Sequence, residues 1–117
     1  MLAGQNVLIV EEEYLIADSN RTMILREGGR VLGPFATAYS AFEASMVTLP
    51  TVALLDLNLE GVPCFRLSDA LVSMGVPVVF LTGYEPGLAP VRHAGAVWIT
   101  KPAGTGEILG ALMTAAS

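Results

Sequence analysis

The sequence predicts an open α/β domain, a doubly wound sheet of five parallel strands in the order 2-1-3-4-5 with helices on both faces. Three observations carry this expectation. Short apolar runs alternate with longer segments of helical period along the 117 residues, the rhythm of βα units joined by right-handed crossovers. The run Thr51-Val52-Ala53-Leu54-Leu55 lacks polar alternation, as a parallel strand covered on both faces does. The second apolar run contains Gly33-Pro34, and a residue without a ladder donor belongs at a sheet edge. An edge position for strand 2 suits that order, which sets a topological switch between strands 1 and 3, where ligands bind beyond the carboxyl ends.

Val7 to Val10 forms the first strand. A helix from about Glu13 to Glu27 follows, with an apolar stripe of Leu15, Ile16, Met23 and Ile24 interrupted by Asp18, Ser19 and Asn20. It stops at Gly28-Gly29. Val31 to Ala36 is the edge strand, and Ala41 to Leu49 reads as a short helix. Leu67, Ala70, Leu71 and Met74 lie at i, i+3, i+4 and i+7, the clearest helical period in the chain. Val76 to Leu81 is the fourth strand, with Pro77 tolerated at its start, and Ala96 to Thr100 is the fifth. Ile108, Leu109, Leu112 and Ala116 mark a final helix. Tyr84-Glu85-Pro86-Gly87-Leu88-Ala89-Pro90 breaks the rhythm, because two prolines and a glycine stand where the fourth helix is expected, so that helix should be irregular or shortened.

Composition excludes several functions. Hydrophobic residues reach 53% and charged residues 15%, enough for a full core in one domain spanning residues 1–117. No apolar run approaches the roughly 20 residues of a membrane span, and the N-terminus lacks the pattern of a signal peptide, so a cytoplasmic location is expected. Eleven acidic against six basic residues give a net charge of −5. Five scattered arginines and the single Lys101 offer no grouped contacts for phosphate backbones, so no nucleic-acid partner is expected. Cys64 stands alone, which excludes an internal disulfide, and reads as a small apolar residue. His93 reads as an exposed loop residue.

Four strands end in polar residues able to do chemistry. The first runs into Glu11-Glu12-Glu13, the third into Asp56, the fourth into Thr82 and the fifth into Lys101. The expected strand order converges them on one rim. Two or three carboxylates from Glu11, Glu12 and Asp56 in such proximity raise one another's pKa unless a cation intervenes, and all-oxygen ligation suits Mg²⁺. A carboxylate, a hard cation, a lysine and a hydroxyl make a phosphoryl-transfer site, with Asp56 as the nucleophile forming an acyl phosphate. Glu13, at the helix start, meets the helix dipole. Gly104-Thr105-Gly106-Glu107-Ile108-Leu109-Gly110 has the wrong spacing for a dinucleotide-binding loop.

Val7-Leu8-Ile9-Val10-Glu11-Glu12-Glu13, Leu54-Leu55-Asp56-Leu57-Asn58-Leu59, Phe80-Leu81-Thr82-Gly83-Tyr84 and Trp98-Ile99-Thr100-Lys101-Pro102 together resemble the receiver domain of two-component response regulators, which is flavodoxin-like. The resemblance covers essentially the whole chain. The Phe-Leu-Thr-Gly-Tyr string, Gly33-Pro34 and the interrupted fourth helix are similar to the FAT GUY branch of single-domain response regulators. It implies that Asp56 accepts a phosphoryl group from the phosphohistidine of a sensor kinase, in this branch typically HWE-type, or from a phosphotransfer protein. It also implies that Glu11, Glu12, Asp56 and the Asn58 backbone carbonyl arrange Mg²⁺, and that Lys101 pairs with the aspartate or its phosphate. Thr82 is expected to bind a phosphoryl oxygen after activation, Trp98 to occupy the aromatic switch position and the bond before Pro102 to be cis. Such a protein is a switch rather than an enzyme, beyond self-phosphorylation and weak autodephosphorylation.

One residue departs from the family pattern. Glu12 stands where the second acid is commonly Asp, and the extra methylene carries its carboxylate about 1.5 Å further out. Ligation directly, through water or not at all stays open, and with it the alternative of a receiver-like interaction module that is never phosphorylated. A receiver excised from a hybrid kinase is a further alternative. An aspartyl-phosphate phosphatase is disfavoured, because Asn58 stands where such an enzyme needs a general acid. After Lys101 the sequence continues for 16 residues, enough for one helix, so output through a downstream protein partner is expected.

Overall fold

A computed structural model describes residues 1–59, 62–63, 65–83, 93 and 96–117. Strands β1 (Asn6–Val10), β2 (Arg30–Phe35), β3 (Val52–Asp56), β6 (Val78–Thr82) and β7 (Val97–Thr100) form one sheet, and a short antiparallel pair, β4 (Asn58–Leu59) and β5 (Val62–Pro63), follows β3. The helices are α1 (Tyr14–Arg26), α2 (Ala38–Val47), α3 (Phe65–Ser73) and α4 (Thr105–Ala116). The sheet order is β2-β1-β3-β6-β7, with every neighbouring pair parallel. This is the expected 2-1-3-4-5 arrangement. The β4–β5 pair was not foreseen, since two-residue strands carry no periodicity. The expected irregular fourth helix falls on residues 84–92, outside the described residues.

Alternate residues of the central strands feed two apolar layers. Val7, Ile9, Leu54 and Leu81 pack with Ile24 of α1 and with Ile108 and Leu112 of α4 on one face. Leu8, Val10, Ala53, Leu55 and Phe80 pack with Ala41 of α2 and with Leu67 and Leu71 of α3 on the other. Every residue of β3 and β6 is buried. That burial explains why these strands read as unbroken apolar runs rather than alternating ones.

Two helices differ in detail from their sequence patterns. In α1 the buried residues are Ala17, Asn20, Met23 and Ile24, whereas Leu15 is 80% exposed. The polar Asn20 therefore takes a core-facing turn that the apolar count assigned to Leu15. Helix α2 starts at Ala38 rather than Ala41, because the Thr37 hydroxyl accepts the Ser40 N–H at 3.2 Å and caps it earlier.

The edge strand carries an extra residue. Leu8 pairs with Leu32 but Val10 pairs with Phe35, so β2 advances three positions while β1 advances two. Gly33 absorbs the irregularity with φ +108°, and the bonds before Pro34 and Pro102 are both cis. A Cβ at Gly33 would lie 2.9 Å from the Ile9 carbonyl oxygen, a backbone atom that cannot swing aside. Gly33→Ala should therefore cost about 2 kcal/mol or more, measured as a lower urea midpoint with an unchanged slope. A midpoint equal to that of the wild type would show that the bulged edge strand relaxes freely.

Candidate functional site

The strand register assembles the site. Val10 pairs with Leu55, so the next residues, Glu11 and Asp56, emerge side by side at the carboxyl rim. Thr82 pairs with Thr100 and its carbonyl accepts the Lys101 N–H at 2.9 Å. Lys101 thus leaves the opposite edge of the sheet from the same rim. Asp56 lies two strand spacings away, roughly 10 Å, a gap that suits a long flexible side chain meeting a short one. The Lys101 Nζ reaches Glu11 Oε1 at 2.9 Å and Asp56 Oδ2 at 3.3 Å. Glu11, Asp56 and Thr82 are all buried, at 3%, 4% and 1% exposure.

Charge and burial oppose one another here. The Glu11 carboxyl is raised from 4.5 to about 7, chiefly by burial and next by its hydrogen-bonding contact with Asp56. Lys101 and the Glu13 N–H, which donates to Glu11 Oε2 at 3.1 Å, pull in the other direction. Burial also works against the Lys101 ammonium. Its hydrogen bond to Glu11 and the charge of Asp56 outweigh that cost and hold it above its ordinary 10.5.

The donor set fits a hard divalent cation. Two buried carboxylates touch, and apart from its ion pair with Lys101 the buried Glu11 Oε1 receives no hydrogen bond. Glu12 does not complete a triad. It is exposed, and with Tyr14, Asp18, Arg21 and Pro34 it lines an open cavity of about 280 Å³ beside Glu11. Among the described residues, no three acidic, histidine or cysteine side chains converge on one point. A cation here would rest on Glu11, Asp56, backbone carbonyl oxygen and water, the mixed shell that Mg²⁺ accepts. Asn58 follows in β4, within two residues of Asp56.

Trp98 is half-buried. Its ring stacks on Phe80 at 4.2 Å between centroids, and its indole N–H donates to the His93 carbonyl at 3.0 Å. His93 itself is buried, which corrects the expectation of an exposed loop residue. Its Nε2 lies 2.9 Å from Asp69 Oδ1 and 3.2 Å from Ser68 Oγ, and its ring stacks on Phe65 and meets Phe80 edge-on. Nothing local to His93 signals this. The nearest hint is Ser68-Asp69, a polar pair set between Leu67 and Leu71 on α3. Cys64 and Tyr84 lie outside the described residues.

The raised Glu11 carboxyl makes stability depend on pH. Between about 4.5 and 7 the folded protein holds a proton that the unfolded chain releases, so stability falls as pH rises through that window. In metal-free buffer the urea midpoint should decline from pH 5 to about 7.5. Glu11→Gln should flatten that decline; an undiminished slope in the variant would assign it to other groups.

No protein-family model and no curated protein sequence matches the chain. Solved structures do. The chain is similar to the receiver domain of the response regulator PhyR from Erythrobacter litoralis, at 28% identity and a TM-score of 0.84, covering 97% of this chain and 90% of that one. A CheY-like receiver domain protein from Methanospirillum hungatei matches at 24% identity and a TM-score of 0.79, covering 97% and 93%. PhyR from Brucella abortus matches at 24% identity and a TM-score of 0.81, with 98% of this chain covering 48% of that longer protein. In fold and strand order, the structural neighbours of this chain are response-regulator receiver domains.

Proposed function

We propose that this domain is a phosphoacceptor switch of a two-component or phosphorelay system, with Asp56 as the phosphorylated residue. The observation that carries the reading is the Lys101 ammonium seated between the buried carboxylates of Glu11 and Asp56, at 2.9 and 3.3 Å, on the carboxyl rim of a parallel sheet. A surface ion pair contributes little, whereas a buried one carries a desolvation cost that gives no simple gain in stability, which points to a role in chemistry.

In the proposed reaction an Asp56 carboxylate oxygen attacks the phosphorus of a phosphohistidine. The new O–P bond forms as the N–P bond breaks, and the electron pair returns to the imidazole nitrogen, which takes up a proton. When bound, Mg²⁺ supplies charge neutralisation between the carboxylate and phosphoryl oxygens. Glu11, Asp56 and the Asn58 carbonyl would hold it, with the neighbouring Glu12 as a further acidic group beside them. Lys101 exchanges its carboxylate contact for a phosphoryl oxygen, and the buried Thr82 hydroxyl offers a second donor. Trp98, packed on Phe80, is the aromatic side chain that reports or transmits the change. The phosphodonor is a sensor histidine kinase, of the HWE type if the chain follows the FAT GUY branch, and the output is contact with another protein. Among the described residues no helix is long and apolar enough to cross a membrane.

Incubation with Mg²⁺ and acetyl phosphate should add the mass of one phosphoryl group to the intact protein and change Trp98 fluorescence. Asp56→Asn should abolish both changes, and Lys101→Ala should slow them by tenfold or more, equivalent to about 1.4 kcal/mol of transition-state stabilisation. The exposed Glu12 favours a second reading, an interaction module that is never phosphorylated. Absence of any mass gain with acetyl phosphate and with a histidine kinase would establish that reading in place of the first.

A further inference from the structure

We propose that the outer face of α2 is a self-association surface, occupied by a second copy of this chain. Tyr39, Phe42, Met46, Val47 and Leu49 are 70%, 40%, 63%, 88% and 55% exposed. Tyr39, Phe42 and Met46 are spaced i, i+3 and i+7 along one side of the helix, and Leu49 follows the extended Thr48 cap, beyond the helix end. The other exposed residues between positions 38 and 49 are Ser40, Glu43 and Thr48. Most of the solvent face of α2 is thus large and apolar. Helix α1 also exposes Tyr14, Leu15 and Leu25, but interspersed with Asp18, Arg21 and Arg26, and α4 exposes Met113 among Gly106, Glu107, Gly110 and Thr114. Scattered apolar residues on a surface need no explanation, but a contiguous patch does.

The order of residues fits a copy of itself. Tyr39 and Leu49 lie five positions before and after residue 44, and Phe42 and Met46 lie two before and two after. An antiparallel α2 related by a twofold axis at that height sets Phe42 against Met46, twice over. These Phe–Met pairs gain a favourable sulfur–aromatic contact. Such a patch is isologous, as twofold pairing requires.

Area and charge point to the same occupant. The five side chains expose roughly 600 Å², so a pair of copies buries at most roughly 1,200 Å², which reaches the lower limit of specific interfaces. Glu43 is the only charged residue on α2, so the face has nothing with which to select a strongly charged peptide. The neighbouring edge strand β2 carries Pro34, which removes one donor from any strand added there. Association therefore runs through helix side chains rather than sheet extension.

Sedimentation equilibrium of the intact chain from about 1 μM to about 1 mM tests the proposal. The expected result is a reversible monomer–dimer equilibrium that tightens with added salt, because screening weakens the repulsion between two chains of net charge −5. Met46→Glu and Tyr39→Glu should each raise the dissociation constant at least tenfold with unchanged circular dichroism. Leu15→Glu, at an equally exposed apolar position on α1, should leave it alone. A chain that stays monomeric throughout the range overturns the proposal. A dimer unaffected by both α2 variants overturns it by locating the contact elsewhere. Asp56→Asn should dimerise as the unmodified wild type does, so failure here is distinguishable from failure of the phosphoacceptor reading.

Discussion

The contact between one ammonium and two buried carboxylates constrains the rest of this molecule. Taking a charge out of water costs several kcal/mol per ion, and partners must offset it through good geometry. Here the carboxylates come from the ends of β1 and β3, while the amine comes from beyond β7, at the far edge of the sheet. The three groups meet only if the strand order and register are those observed. A slip of one residue would turn Asp56 or Glu11 to the opposite face. The contact is therefore also a check on the sheet: the fold that buries Leu54 and Leu55 on its two faces is the fold that delivers Asp56 to Lys101.

The electrostatic balance of that contact is uneven. The Glu11 carboxyl is pushed up, because it is enclosed and leans on a second carboxylate. Lys101 gains enough from both acids to remain firmly charged. Among the described residues, one ammonium thus faces two carboxyl groups, so acidic oxygen exceeds cationic charge at this contact. That surplus is the chemical basis of the proposed binding of a hard metal ion and a phosphoryl group.

A second unit, built from aromatic rings, lies beneath the rim. Phe80 is two residues before Thr82 on β6, and it bears both Trp98 and His93. His93 ties that stack to α3 through Asp69 and Ser68, and its carbonyl holds the Trp98 indole. Trp98 is consequently anchored by a hydrogen bond as well as by packing. Any displacement of its ring must give up a contact with the backbone of His93, a residue that is itself buried.

Periodicity in the sequence determined the five main strands, the edge position of β2 and the identity of the four polar residues at the strand ends. These properties are local. A run of apolar residues or a proline without a donor acts on its own segment whatever surrounds it. Tertiary structure decided which of those polar residues meet. Glu11 is enclosed while Glu12, one position later, points to solvent, a difference of chain direction that residue types do not record. Burial of Asn20 in place of Leu15, and of His93 beneath Trp98, likewise depends on neighbours brought in from other segments. The exposed apolar face of α2 belongs to the same class, because a helical period shows which side chains share a face, and only the packed sheet shows which face is covered.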